Sequence, residues 1–193
     1  MRKTRMEAFS DGVLAIILTI MVLEMKVPHG NDVAALKPLL PLFLSYILSF
    51  IYIAIYWNNH HHMLHFVQHI NGKILWLNNH LLFWLSLVPF ATGWMGENHF
   101  STWPVVVYGI ILMMAGIAYY MLEKALTDRS ISNDKLAKAI GNDNKGKLSV
   151  IIYAVAIPLC FLHPYIGCIL YIGVAIIWLM PDKRIEKEIK ETG

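Results

Sequence analysis

The sequence is poor in charged residues: only 15% of its 193 residues are Asp, Glu, Lys or Arg, whereas 57% are hydrophobic. Soluble domains typically have about a quarter of their residues charged. No polar stretch is long enough for a separate soluble domain. In the longest expected loop, residues 123–147, Gly141 and Asn142 would break any helix. The composition therefore excludes a soluble catalytic domain and predicts one membrane domain over residues 1–193.

Cysteine is equally scarce. Cys160 and Cys168 lie eight residues apart in an apolar stretch, and neither belongs to a CxxC pair. This spacing gives no support for a redox motif or a zinc knuckle. We expect both cysteines to be packing residues.

Long runs without charge predict the membrane-spanning helices, because a bilayer core about 30 Å thick needs about 20 helical residues. Three runs have this size. A fourth, residues 148–180, is too long for one span and is divided by His163 and Pro164, which favours a short helical hairpin. With the first run, this predicts an all-α membrane protein with six transmembrane helices, at about residues 6–27, 38–61, 73–96, 102–124, 147–162 and 164–181.

The first apolar run, residues 12–23, would form only about 18 Å of helix. It cannot cross a bilayer alone. Either Ser10 and Asp11 or Glu24 and Lys26 must therefore lie at or near hydrocarbon depth. Ionisable groups at that depth are candidates for function.

The positive charges predict the orientation of the chain. The N-terminal segment carries three Lys or Arg residues, the second loop one, the fourth loop six and the C-terminal tail four, whereas Lys26 and Lys37 lie on the other side. Because cytoplasmic loops are enriched in positive charge, we expect both termini in the cytoplasm.

The first helix carries a stripe of side chains that could line a pore. Ile16, Thr19, Ile20 and Leu23 follow i, i+3, i+4 and i+7 spacing, which places them within about 100° of arc. The spacing alone is also typical of ordinary helix packing. If several copies surrounded an axis, the aliphatic side chains would form rings that gate ions by expelling water, and Thr19 would add a ring of hydroxyls.

A polar cluster precedes this stripe. Asp11 is rotated about 140° from Ile16, so we expect it to point into the bundle. Arg5, less than two turns earlier, and Ser10 are its candidate partners, because a buried carboxylate needs them. The alternative is an ordinary helix-start cluster.

These residues resemble a known family. Arg5 is followed by Phe9, Ser10, Asp11 and then GVLAIILTIMVLEMKVP, which is similar to the first-helix signature of the transmembrane protein 175 family of potassium channels. Two further blocks are similar to that family: YWNNHHHMLHF at 56–66 and NHLLFWLSLVPFATGWMGE at 79–97. The similarity covers about the first half of the chain.

The resemblance implies a potassium-permeable channel, not an enzyme, with the first helix lining the pore. No TVGYG-like carbonyl filter segment occurs in the sequence. Prokaryotic members carry one six-helix repeat and form tetramers, which implies a homotetramer in the plasma membrane of a prokaryote. No cofactor is implied, and K⁺ is the permeant ion.

The resemblance also assigns residues by position. Ile16 and Leu23 match the aliphatic constriction, Thr19 a pore-facing threonine, and Ile20 a position that faces the pore in some relatives. The residues that match or neighbour the brace of the first helix are Arg5, Phe9, Ser10, Asp11, His60 and His61.

A dense group of histidines leaves a rival interpretation open. His61, His65 and His69 recur every four residues, as metal ligands do on a helix, and His60, His62, His80 and His99 add to the group. One alternative is a di-iron membrane enzyme, although the repeated His-x-x-His-His boxes are missing. The others are a polar network at the helix ends and pH modulation of gating.

A small secondary transporter is a further alternative. Such proteins have broken helices around a site at the membrane midplane, often with internal repeats. Pro89 and Pro158 could kink their helices, but kinks are common in membrane helices without transport.

Overall fold

The computed structural model describes residues 3–65, 67, 70–127 and 144–179. These residues are almost entirely helical, in this order: α1 Lys3–Leu23, a 3-10 helix Val33–Leu39, α2 Leu40–His65, α3 Gly72–Ser86, α4 Val88–Glu97, α5 Thr102–Leu126, α6 Asn144–Leu159 and α7 Pro164–Leu179. The basic residues at 129–138 and the C-terminal tail charges, which were used to predict the orientation, lie outside the described residues.

The prediction of an all-α membrane fold is confirmed in its main feature. Within the ranges that the structure describes, four helical segments are long and apolar enough to cross a membrane: Lys3–Leu23, Val33–Leu64, Gly72–Glu97 and Thr102–Leu126. A fifth apolar helix, Pro164–Leu179, has only 16 residues.

α1 extends well beyond the apolar run that marks it in the sequence. It has 21 residues, which corresponds to about 31 Å of helix. It begins before Ser10 and Asp11 and ends at Leu23, four residues earlier than the expected limit at 27. Of the two polar pairs that flank the run, Ser10 and Asp11 therefore lie inside the helix.

The third apolar segment is broken near its middle. α3 ends at Ser86, and α4 begins at Val88 with Pro89 in its first turn. Proline has no N–H to donate to the preceding turn, and its ring collides with that turn's carbonyl, so the helix is interrupted there. A second break separates Leu159 from Pro164, at the turn expected for the terminal hairpin.

α5 lies at the centre of the bundle and packs against α3, α4, α6 and α7. A Cβ atom at Gly109 would collide with the hydroxyl of Tyr171, so only glycine permits this approach of α5 to α7. The buried hydroxyls are paired between helices: Ser49 on α2 lies 2.6 Å from the hydroxyl of Thr92 on α4 and 3.0 Å from that of Tyr108 on α5. Such hydrogen bonds join helices where the surroundings are apolar.

α1 packs on one side of this bundle, against α2, α3 and α4. Its buried residues share one face, at three- and four-residue spacing: Met6, Ser10, Leu14, Ile17 and Met21. The packing leaves the other face of α1 uncovered in the single chain.

Candidate pore-lining face of the first helix

The exposed face of α1 carries the stripe that the sequence singles out. Ile16, Ile20 and Leu23 are 58%, 42% and 79% exposed, whereas Leu14 and Ile17 on the opposite face are buried. Large aliphatic side chains with this exposure must meet lipid, another subunit or a pore. The bundle of a single chain therefore does not use this stripe for its own packing.

Thr19 is exposed on the same face. Its hydroxyl donates to the carbonyl of Ile16 over 2.8 Å, within the same helix. The donor is thus satisfied, and the oxygen lone pairs remain free to face a cation or water. The stripe consequently presents one oxygen among aliphatic side chains.

A groove of about 600 Å³ lies beside the stripe, between α1 and the broken segment α3–α4. Its lining is mainly apolar but includes two carboxylates towards the far end of α1. The lining residues are Val13, Ile16, Ile17, Ile20, Glu24, Ser86, Pro89, Phe90, Gly93, Trp94 and Glu97.

The opposite face of α1 is fastened by a buried polar network around Asn78 of α3. The Asn78 amide nitrogen donates to the Ser10 hydroxyl over 3.0 Å, and that hydroxyl donates to the Met6 carbonyl over 2.9 Å. The Asn78 carbonyl oxygen lies 2.8 Å from Nε2 of buried His60 on α2. Because an amide oxygen only accepts, this contact places the imidazole proton on Nε2. One asparagine thereby joins three helices.

Nδ1 of His60 is the exception in this network. It is buried and has no hydrogen-bond partner within the part of the chain that the structure describes. Buried polar atoms without partners are rare and carry a free-energy cost of about 1 to 3 kcal/mol. His60 therefore depends on Asn78 for its single polar contact.

Two further contacts join the same end of α1 to α2. The indole N–H of Trp57 donates to the Asp11 carboxylate over 3.0 Å. One turn earlier on α1, the Glu7 carboxylate lies 3.1 Å from Nδ1 of His61. The second contact is an ion pair only when the imidazole is protonated.

The structure brings together only part of the brace that the sequence singles out. Ser10, Asp11, His60 and His61 all contact neighbouring helices. Arg5, however, is exposed and forms no ion pair with Asp11 in the described part of the chain. Six residues of helix separate the two by about 9 Å and about 120°, so they do not meet. Phe9 is also exposed, on the outward face.

The histidines do not converge on one point. His60 contacts Asn78, His61 contacts Glu7, and His80 accepts a hydrogen bond from the Trp84 indole over 2.9 Å. Among the residues that the structure describes, no three His, Cys, Asp or Glu side chains group so as to hold a metal ion. His69 and the side chain of His65 lie outside that part.

Sequence reasoning missed three residues of this site: Asn78, Trp57 and Glu7. Asn78 directly precedes a block that resembles the family, and Trp57 lies inside another. Their partners are 68 and 46 residues away in the chain. The signal available in the sequence was the set of polar residues expected to be buried on α1, because a buried donor or acceptor requires a partner on a neighbouring helix.

Comparison with known proteins finds the same signature. A family model for the endosomal/lysosomal potassium channel TMEM175 matches residues 5–89, which contain the whole stripe and the polar network. A protein named as a potassium channel in Chryseobacterium sp. (strain P1-3) is 56% identical over 191 residues, covering 99% of this chain and 100% of that protein. The human endosomal/lysosomal proton channel TMEM175 is 35% identical over 101 residues, which is 46% of this chain and 20% of the human protein.

A solved structure is also similar. The crystal structure of a lysosomal potassium-selective channel TMEM175 homolog from Chamaesiphon minutus superposes with a TM-score of 0.79 at 30% sequence identity. The match covers 92% of this chain and 96% of that chain. The likeness therefore extends over nearly the full length of both.

Proposed function

The chain belongs to the TMEM175 family and is a potassium-permeable channel, and we propose that its ions pass along the exposed face of α1 at the centre of a homotetramer. The observation that carries this proposal is the difference between the two faces of α1. One face is fastened to the bundle through Ser10, and the other presents Ile16, Ile20 and Leu23 outwards. Four copies around an axis would turn these side chains into rings.

The rings would act as the gate. A constriction of aliphatic side chains expels water, and an ion cannot cross it without its hydration shell. Thr19 lies between Ile16 and Leu23 and would supply hydroxyl oxygens that replace part of that shell. In this proposal potassium permeation needs no carbonyl filter loop and no cofactor.

The membrane arrangement is part of the same proposal. We place six transmembrane helices in each subunit, as one channel domain over residues 1–193, with both termini in the cytoplasm of a prokaryotic cell and the protein in its plasma membrane. The near full-length match to the Chamaesiphon chain supports one repeat per subunit. The positive charges of the loops support the orientation.

The polar network would hold α1 at a fixed distance from the axis. Ser10, Asp11 and His60 contact α2 and α3 from the buried face, with Asn78 and Trp57 as partners. We assign them to positioning of the pore helix, because they lie on the face opposite the proposed pore. The family and its relatives are channels, so the chain is not an enzyme.

A flux assay tests the pore assignment. The purified protein is reconstituted in liposomes loaded with potassium chloride and diluted into a potassium-free buffer, with a proton ionophore and a pH-sensitive dye reporting charge movement. We expect Ile16→Ser and Leu23→Ser each to raise the resting potassium leak about tenfold, because a polar ring lets the constriction fill with water.

Matched controls use the same substitutions on exposed side chains of the terminal hairpin, Ile169→Ser and Leu162→Ser. These should leave the leak unchanged. Equal flux in wild-type protein, Ile16→Ser and Leu23→Ser would contradict the assignment of α1 to the pore. Repeating the assay with sodium measures the selectivity.

A further inference from the structure

A narrow crevice opens between the terminal hairpin, α6 and α7, and the helices α2 and α5. Its volume is about 450 Å³ including the open side, and about 30 Å³ of this is wide enough for the centre of a water-sized group. Its walls are mainly aromatic and include Tyr52, Tyr56, Tyr119, Tyr153 and Trp178. The crevice is therefore an apolar slot and not a polar pocket.

All the walls of the crevice belong to one chain. Every lining residue lies on α2, α5, α6 or α7. The main contacts of α1 are with α2, α3 and α4, whereas those of α6 and α7 are with each other, α5 and α2. With α1 at the axis of the proposed tetramer, the hairpin lies on the outer side of each subunit. The crevice thus faces lipid in that arrangement.

The hydroxyl groups in the deeper part of the crevice are already paired. The Tyr153 hydroxyl donates to the Tyr52 hydroxyl over 3.1 Å, and the Tyr52 hydroxyl donates to the Tyr171 carbonyl over 2.6 Å. Among the residues that the structure describes, no buried side-chain nitrogen or oxygen of the crevice lacks a partner. The rings therefore offer apolar faces, which suit an apolar occupant.

The other end of the crevice is basic. There the Trp178 indole N–H donates to the Ser149 hydroxyl over 2.9 Å and joins α7 to α6. Lys145 and Lys147 flank Gly146, which lines the crevice. Helix geometry places the two lysines about 6 Å and about 3 Å beyond Ser149, towards the start of α6. Lysine side chains near membrane helix ends extend their charge to the interface.

This basic end is recessed between two longer helices. The rings of Tyr119 and Trp178 are 6.3 Å apart, so the two residues lie at a similar level. α5 continues from Tyr119 to Leu126, about 10 Å further, and α2 continues from Asn59 to His65, about 9 Å further. A molecule in the crevice would therefore lie alongside helix ends that extend past it.

We propose that the crevice binds one anionic phospholipid per subunit from the inner leaflet, with an acyl chain along the aromatic walls and the phosphate near Lys145 and Lys147. This inference rests on the proposed orientation, which places this end of the bundle at the cytoplasmic face. Basic pockets between transmembrane helices on that side bind anionic headgroups. A zwitterionic lipid would fill the same slot but gain much less from the lysines.

Native mass spectrometry of the purified protein in detergent tests the site. Dioleoyl phosphatidylglycerol and dioleoyl phosphatidylcholine are added separately at equal concentrations, and the bound lipids are counted. We expect one tightly bound phosphatidylglycerol per subunit. Phosphatidylcholine should bind about 30-fold more weakly, because each lysine near the surface contributes about fivefold.

Removing the positive charge should remove this preference. In the double variant Lys145→Gln with Lys147→Gln, we expect phosphatidylglycerol to bind about as weakly as phosphatidylcholine. Lys73→Gln is the matched control, because Lys73 is an exposed lysine at the start of α3, away from the crevice. This control should keep the wild-type preference.

Filling the slot tests the acyl chain separately from the charge. A Cβ added at Gly116, in the crevice wall, would lie 3.8 Å from the Tyr56 hydroxyl and 4.0 Å from the Tyr153 ring, so the leucine of Gly116→Leu extends into the slot. We expect the binding of both lipids to weaken about tenfold. Gly173→Leu on α7, where an added Cβ meets no atom within 4 Å, should bind as wild type does.

Several results would overturn the lipid site. Equal binding of the two lipids, or a preference that the double lysine variant retains, would do so. Displacement of phosphatidylglycerol by millimolar inorganic phosphate would show that the acyl chain contributes nothing. Dissociation of the assembly in Gly116→Leu, with lipid binding unchanged in the double lysine variant, would mean that a neighbouring subunit covers the crevice.

The failure of this inference and that of the proposed function give different results. Potassium flux in wild-type protein that binds no phosphatidylglycerol would overturn the lipid site alone. Phosphatidylglycerol binding without flux would contradict the pore and leave the site in place. Labelling of Lys147→Cys by an impermeant maleimide from outside spheroplasts would contradict the orientation, and with it the assignment to the inner leaflet.

Discussion

Replacing Asn78 by leucine should loosen the first helix from the bundle. Leucine has a similar size and suits the apolar surroundings, but it can neither donate to Ser10 nor accept from His60. Ser10 keeps its bond to the Met6 carbonyl. His60 keeps no partner within the described residues, because its other ring nitrogen is already unpaired.

The magnitude follows from these two losses. The Ser10 contact between helices is worth about 0.6 kcal/mol in a membrane protein. Leaving the His60 ring without any partner costs about 1 to 3 kcal/mol. We therefore expect Asn78→Leu to lower the free energy of unfolding by about 1.6 to 3.6 kcal/mol.

Equilibrium unfolding in mixed detergent micelles measures this change. Asn79→Leu is the matched control, since Asn79 is the next residue and is exposed; it should change stability by less than about 0.5 kcal/mol. The double variant Asn78→Leu with His60→Phe removes both polar partners, and replacing a buried polar pair by apolar groups is close to neutral. It should be more stable than Asn78→Leu alone. A double variant that is no more stable would refute the argument that the unpaired imidazole causes the loss.

Two other perturbations give results of predictable sign. Gly109→Ala should destabilise the protein by about 1 to 3 kcal/mol, because its methyl group displaces the Tyr171 hydroxyl. Gly116→Ala on the same helix meets only ordinary contacts and should stabilise the protein by about 0.5 to 1 kcal/mol. Thermal melts of the two variants in one detergent measure both changes, and a shift of the melting temperature in the same direction for both would contradict this prediction. Trp57→Phe removes the donor to Asp11 and should cost about 1 kcal/mol. A further Asp11→Ala change, which removes the acceptor, should then add little in a double-mutant cycle. Additive losses would show that the two side chains do not interact.

The sequence predicted the long helices well because the bilayer imposes a simple rule on them. A charge-free run of about 20 residues has few other uses, so residues 102–124 correspond closely to α5. The breaks before Pro89 and Pro164 were also accessible, because proline interrupts a helix through its own covalent structure.

The limits of the first helix were harder to predict because the hydrogen-bond partners of its polar residues lie on other helices. Ser10 and Asp11 lie just before the apolar run, yet the helix extends back through them, since Trp57 and Asn78 supply hydrogen bonds from other helices. Tertiary partners of this kind have no fixed spacing in the sequence. Arg5 was the natural partner by charge, but its position on the helix keeps it away from the carboxylate.

The candidate site could also be predicted only in part from the sequence. Periodicity alone placed Ile16, Ile20 and Leu23 on one face, and their exposure agrees with it. Whether that face meets lipid or a pore depends on symmetry, which is a property of the assembly and not of one chain. The stripe as a pore lining therefore stays a prediction.

The short terminal hairpin, α6 and α7, would make the channel sensitive to the thickness of the bilayer. The described parts of α6 and α7 have 16 residues each. Each described part is about 24 Å long, several ångströms shorter than a typical hydrocarbon core of about 30 Å. In the proposed arrangement, lipids beside the hairpin must compress to cover it, at a cost of fractions of a kcal/mol for each ångström of mismatch. A hairpin of this length would thus favour thin bilayers, and the acyl-chain length of the surrounding lipid would affect the stability of the protein.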